Sequence, residues 1–335
     1  ANVRHDLAAA YRYATRSDKA GEDAVRFNPS DLGTWSLWVN GRGLVADILI
    51  QPGPVNRAIG VLRSKVALAD EPRLPSSLAP NLIGTWSTLA WWEAETGQRA
   101  AAERSFDARV KADAEFSKLM PEGDSRRAVS RARVPLGRAR ILLIEGEQAA
   151  AHDLASASVR QLEQLSFDAG DATAQSRDDT LQSALGTVSE AALRLGRYAE
   201  AEAAARRRMA MPPISGSSGD DPLKEMFQRR VLLAHTIAKQ DRGAEAQTVL
   251  APALEHYGRE KKAGAIGTDF RLDYARALYV KALAQGSDPA GRATREQVLA
   301  EAAGLLSGAS AEVQKLVMTR ELSGWIAAAR ASSSP

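Results

Sequence analysis

The chain has 335 residues, enough to bury a large core, and balances 44 basic against 41 acidic residues for a formal net charge of +3. That even mixture lacks the concentrated basic charge of a nucleic-acid binder, so nucleic acid is not an expected partner. Cysteine is absent, which excludes disulfides, thiolate catalysis and zinc–thiolate sites. No apolar run nears the ~20 residues of a membrane span, residues 44–50 being the closest.

Abundant Ala and the lack of alternating Val, Ile and Thr predict helix throughout. A first helix is expected over 2–20, then a polar stretch, 21–30. Ser30 is the expected N-cap of a second helix, with Asp31 in its first turn. That helix carries Leu32, Trp35, Leu37, Trp38 and Val39 and is expected to weaken or break at Gly41 and Gly43. Pro52, Gly53 and Pro54 precede a helix over 55–68, and Pro72 and Pro75 mark the next break.

Helical hairpins follow. The first pairs 78–96 with 98–119, and the second pairs 125–145 with 147–165, with a kink or late start expected at Pro135. A polar linker over 167–177 leads to a pair at 181–195 and 198–211, and then to the most flexible-looking loop, 215–221. Pro222 opens the next pair, 222–240 and 244–260. The last pair is 269–285 and 294–306, before a terminal helix over 311–330. The corners at Gly97, Gly146, Gly196, Asp241 and Gly286 recur roughly every 45 to 50 residues. Gly33-Thr34-Trp35-Ser36 recurs as Gly84-Thr85-Trp86-Ser87, in step with that spacing.

Among His5, His152, His235 and His256 only His256 has a carboxylate three or four positions away, Glu260, and none has a second histidine there, so all four are expected to be surface or capping residues, not metal ligands. Gly41-Arg42-Gly43 fits a dinucleotide loop only loosely and lacks the preceding strand. No Gly-Lys pair exists to build a phosphate loop, and the serines between Gly216 and Gly219 have the wrong spacing for a nucleophile. No catalytic residue, cofactor or metal is expected, and the chain is read as a non-enzyme.

The units resemble the tetratricopeptide repeat, with degenerate and lengthened repeats. Trp86, Leu89, Ala90, Gly97, Ala102 and Phe106 match its pattern in one unit. Leu185, Gly196, Tyr198, Ala201 and Pro213 match in another. Leu233, Ala234, Ala246, Leu250 and Ala253 match in a third, and Ala139, Ala151 and Ala155 in the unit around Gly146. Glu93 and Arg138 stand where that family prefers apolar residues, and the period exceeds its ~34 residues, which keeps a HEAT-type solenoid as the alternative.

The resemblance implies an all-α fold, a right-handed superhelix (α-solenoid) of antiparallel helix hairpins. It is expected as a single helical-repeat domain over 1–335. Residues 1–30 would form an N-terminal capping helix and loop, 31–307 about six hairpins, 308–330 a C-terminal capping helix and 331–335 a disordered tail. It also implies a concave groove lined from the first helix of each pair, at Asn40, Trp91, Arg133, Arg140, Glu190, Gln228, His235, Lys239 and Arg276.

Of these, Trp91, Arg133, Arg140, Gln228, His235 and Arg276 are the expected partner-binding residues. Trp91 would anchor, and the arginines would clamp, a protein or extended acidic peptide. The alternatives are a sensory or regulatory domain that binds a small ligand or signalling peptide and controls an effector domain absent from this chain, and a helical-repeat enzyme with converging acids. The first residue is Ala1, so the chain is read as a processed protein or a piece of a larger, bacterial-type one. The cytoplasm ranks ahead of the periplasm as its compartment.

Overall fold

The computed structural model describes residues 7–167, 171–212, 222–265, 267–286 and 288–332. Among them every regular element is helical. The helices are α1 (Leu7–Phe27), α2 (Leu32–Ile50), α3 (Val55–Val66), α4 (Ala79–Glu95), α5 (Arg99–Lys118), α6 (Ser125–Ile144), α7 (Gln148–Glu163), α8 (Ala172–Arg194), α9 (Tyr198–Ala210), α10 (Pro222–Ala238), α11 (Gly243–Lys262), α12 (Thr268–Leu283), α13 (Pro289–Ser307), α14 (Ala311–Gln314) and α15 (Val317–Ala331). The start of the expected first helix, Pro213, the 215–221 loop and the end of the tail lie outside the described residues.

The chain folds into two compact units. Unit 1 comprises Ala1–Met120, Lys261–Arg271 and Gly308–Arg320; unit 2 comprises Pro121–Glu260, Leu272–Ser307 and Glu321–Pro335.

In unit 1 the helices α1 to α5 pack in sequence around Ala46, Leu49, Val55, Ile59, Leu62, Leu89 and Trp92, which are all buried. Three expectations fail here, each for a local reason. Asp31, not Ser30, caps α2, its carboxylate accepting from the backbone N–H groups of Gly33 and Thr34 at 3.2 and 3.0 Å. Helix α1 runs through Gly21 to Phe27, and α2 runs unbroken through Gly41 and Gly43. These glycines serve close approach. A Cβ on Gly21 would lie 2.6 Å from Trp38 Cα, and one on Gly41 would lie 3.2 Å from Asp18 Cα. The two backbones could not pack so tightly around larger residues.

The segments that return late in the chain complete this unit. Thr268 donates from its backbone N–H to the Gln51 carbonyl at 2.8 Å, and its hydroxyl donates to the Ile50 carbonyl at 2.8 Å. The Glu312 carboxylate accepts from the Asn56 backbone N–H at 2.9 Å, and the Met318 N–H donates to Glu95 at 2.9 Å. Each contact joins residues more than 200 positions apart.

In unit 2, α6 to α13 form successive hairpins and α15 packs beside α13, with Arg330 bridging to Glu296 at 2.5 Å. Small residues let the paired helices touch. Ala132, Ala139, Ala151, Ala155, Ala184 and Ala191 are all fully buried in one core. The Ser158 hydroxyl donates across to the Ala132 carbonyl at 2.7 Å, and Ser189 donates to Ala201 at 2.9 Å.

Helix α8 begins at Ala172, well inside the expected linker, because the Asp171 side chain caps it through the Thr173 N–H at 2.7 Å. Helix α6 starts at Ser125 and carries Pro135 within it, so no late start occurs. The terminal helix is split into α14 and α15.

The corners share one construction. Gly97, Gly146 and Gly196 have φ of 77°, 85° and 75°, and Asp241 has 59°. In each, the next residue's N–H reaches back five positions to a carbonyl: Gln98 to Glu93, Glu147 to Leu142, Arg197 to Ala192 and Arg242 to Ile237. This left-handed C-terminal cap satisfies carbonyls that the helix end leaves open. Gly286 also sits at a corner, without a positive φ.

Candidate functional site

The residues expected to line a groove are carried by different units. Trp91 lies on α4 in unit 1, half-buried against the α2–α3–α4 core, its ring edge-on to buried Trp92 with centroids 4.5 Å apart. Asn40 is exposed on α2 and donates to the Ser36 hydroxyl at 3.3 Å. The remaining candidates belong to unit 2; Lys239 directly follows α10, and the others sit on α6, α8, α10 and α12, the first helices of successive hairpins.

Arg133 of α6 reaches α8, donating to Ser176 at 2.7 Å and Thr180 at 3.1 Å. Gln228 of α10 donates to Asp273 of α12 at 2.9 Å. Arg276 of α12 donates to Glu190 of α8 at 2.5 Å, and Arg194, one turn on from Glu190, pairs with Glu321 of α15 at 3.0 Å. Side chains from alternate helices therefore interlock on one face of unit 2.

That face encloses a cavity of about 280 Å³ lined by Gly186, Glu190, Arg208, Gln228, Val231, Leu232, Tyr257, Asp273 and Arg276. The Glu190–Arg276 pair forms part of its wall. Burial pushes the Glu190 carboxyl up, but Arg276 and Arg194 outweigh it and hold its pKa down at about 2. Burial lowers the Arg208 guanidinium to about 10, against the pull of its partner Glu225 at 2.9 Å. Arg140 is exposed to water yet ringed by protein, and the partial loss of solvent lowers its pKa. Its charge is felt at Arg208.

His235 is 2% exposed and packs beside the rings of Tyr279 and Trp325, at 5.4 and 5.8 Å. Neither of its ring nitrogens has a hydrogen-bond partner among the described residues. Burial first, and Arg276 second, lower its pKa to about 3, so it is neutral. Lys239, one turn on, is half-buried and is likewise lowered by burial.

The other described histidines depart from the expected surface role as well. His152 is buried, with Nε2 2.8 Å from a Glu200 oxygen, and His256 stacks on Phe227 with centroids 4.3 Å apart. No group of metal-ligating side chains occurs among the described residues, and no described helix is long and apolar enough to cross a membrane.

Two contributors escaped the sequence reading. Arg208 lies on α9, a second helix, and reaches the cavity because Gly186 leaves room for it: a Cβ there would sit 2.7 Å from Arg208 Nη1. Asp273 sits one turn before Arg276, and that spacing on the inner face could have drawn notice. Unit 1 has its own, wider cleft of about 500 Å³, lined by residues including Arg63, Trp86, Glu93 and Arg104. Glu93, unexpected at an apolar position, is 1% exposed and satisfied by Arg63 at 2.7 Å and Ser105 at 2.6 Å.

No family model matches the chain. No curated protein matches it either. Among solved structures, BtubC (BKLC) from P. vanneervenii is similar over 77% of this chain and 91% of that one, at 16% identity and a TM-score of 0.51. At that identity the likeness shows fold alone. The P58(IPK) TPR domain aligns with 97% of this chain and 96% of that one, at 14% identity, but its TM-score of 0.26 carries no argument. The repeated Schellman corners, the fully buried small residues at the helix crossings and the likeness to BtubC identify the fold as an all-α array of tetratricopeptide-like helical hairpins.

Proposed function

We propose that the chain is a non-enzymatic interaction module that captures an extended, acidic segment of a protein on the inner face of unit 2. One observation carries the reading: Gln228 of α10 and Arg276 of α12, on successive first helices, line one polar cavity. Repeat arrays bind in this manner, each repeat contributing one or two side chains to an extended surface. Arginine suits the task because its planar fork pairs with carboxylates in two bonds at once.

Arg140 is the side chain best placed to meet a partner, being exposed and outside any ion pair among the described residues. Arg276 and Gln228 are held ready by Glu190 and Asp273. His235 lies behind them, covered by Trp325. Fluorescence anisotropy with a panel of acidic, neutral and basic labelled peptides tests the reading. The acidic peptides are expected to bind tightest, and Arg140→Glu to weaken them at least about tenfold. Equal affinity across the panel would sink the proposal.

A further inference from the structure

The tetrapeptide that recurs 51 residues apart has two different fates in unit 1. Trp35, in the first copy, is 1% exposed and belongs to a buried cluster with Val25, Leu68 and Leu78. Its indole N–H donates to the Pro29 carbonyl at 2.9 Å. The chain itself thus supplies both things a buried tryptophan needs, apolar cover for the ring and an acceptor for the nitrogen. Trp86, in the second copy, packs against the core that holds Leu89 and Trp92 but is only half-buried. Its indole makes no hydrogen bond among the described residues. The ring lines the unit 1 cleft of about 500 Å³.

Three elements build that cleft. Helix α4 supplies Trp86 and Leu89, α3 with the helical turn after it (Ala67–Asp70) supplies Val66 and Asp70, and α5 supplies Ala101 and Arg104. Helices α3 and α5 both pack on α4. Four charged side chains stand in the wall, two of each sign. Glu93 and Arg63 are spent on each other, with Ser105 closing the second Glu93 oxygen. Arg104 and Asp70 are exposed and have no ion pair among the described residues.

We propose that this cleft is a docking site for a protein segment that does for Trp86 what the chain's own residues do for Trp35. The segment lays an apolar side chain over Trp86 and Leu89 and offers a backbone carbonyl to the indole N–H. An acidic residue on one side of that anchor meets Arg104, and a basic residue on the other meets Asp70. The partner is therefore amphipathic and balanced in charge, unlike the acidic segment assigned to unit 2. The site lies within unit 1 and does not depend on what unit 2 binds. A partly covered tryptophan in a pocket, with charged groups at its edge, has the make-up of a binding hot spot.

Fluorescence anisotropy of the full chain tests the site with two labelled pentapeptides. Both have a central leucine flanked by alanines, with a lysine and a glutamate at the ends in either order. Charges two residues from the leucine lie on the same side of an extended chain as the leucine itself. Saturable binding of at least one order is expected, and that order gives the direction of the segment in the cleft. Serine in place of the leucine is expected to weaken binding at least about tenfold. Trp86→Ala is expected to weaken it by about 10- to 100-fold, and Trp86→Phe, which keeps a ring but loses the donor, by about 3- to 10-fold. Should the Trp86 variants not fold, Arg104→Glu at its exposed position carries the test. It is expected to cost about 3- to 10-fold, recovered when the peptide's glutamate is replaced by lysine. Failure of both peptides to bind, a serine control that binds as well as leucine, or binding indifferent to the Trp86 and Arg104 substitutions overturns the proposal.

Discussion

Glu190 and His235 face the same interior from neighbouring helices, and their protonation states make opposite demands. Glu190 must stay ionised to hold Arg276 and Arg194. Its pKa of about 2 in the fold lies below the 4.5 of a free glutamate, so its stabilisation is complete above pH 4.5 and is lost as the pH falls towards 2. His235 must stay neutral. At about 3 it refuses a proton that the unfolded chain accepts at 6.5, so stability declines as the pH drops from 6.5 to 3. Each contribution is on the order of a few kcal/mol. His235→Phe is therefore expected to flatten the stability curve between pH 6.5 and 3 in urea melts, and an unchanged slope would count against a neutral buried imidazole. Glu190→Gln should cost about 3–5 kcal/mol at pH 7, because it leaves buried guanidinium groups uncompensated.

Glycines fall into two mechanical classes at the level of the helices, and the difference predicts unequal costs. At Gly97, Gly146 and Gly196 a Cβ would meet nothing within 4 Å. Alanine there should cost only the left-handed backbone penalty, about 1–2 kcal/mol. At Gly21 the added carbon would strike the backbone of α2. Gly21→Ala should force α1 and α2 apart at a cost of about 1–3 kcal/mol or more. Asp241→Gly, relieving the same geometry, should stabilise by roughly 1 kcal/mol. Thermal melts of the five variants would rank them, and Gly21→Ala melting like wild type would refute the close-approach account.

The same contrast explains what could be read in the sequence. A corner is local: apolar periodicity, Gly, then an Ala-rich start, and Gly97, Gly146, Gly196 and Asp241 all have the expected turn. The small and apolar repeat positions were legible too, Leu89, Ala90, Ala102 and Leu250 being buried. Gly21 and Gly41 looked like breaks because what they accommodate is another helix, invisible to a linear pattern. Gln228 and Arg276, named from repeat register, both line the unit 2 cavity, and Arg140, named in the same way, does not. Arg208 did not follow from register, since it reaches the cavity from a second helix through a gap left by Gly186.

Over the whole molecule, the unexpected feature is that unit 1 is finished by residues from far down the chain. In an open repeat array each hairpin touches only its neighbours, and losing a terminal one merely shortens the stack. Here Glu312, Ser310 and Met318 bond to α3, to the turn before it and to α4. Deleting residues 308–335 is expected to lower hydrogen-exchange protection in α3 and α4 as well as in α13. Protection loss confined to α13 would show that the closing contacts contribute little.

Those closing contacts also bear on synthesis. The first 120 residues emerge with part of their core partners still unmade, and the last of these, ending at Arg320, appear roughly 200 residues later. At the usual pace of a ribosome that is a wait of about 10–40 s. Through that interval the part of the α3 core that Val313 and Leu316 later cover stays open to water.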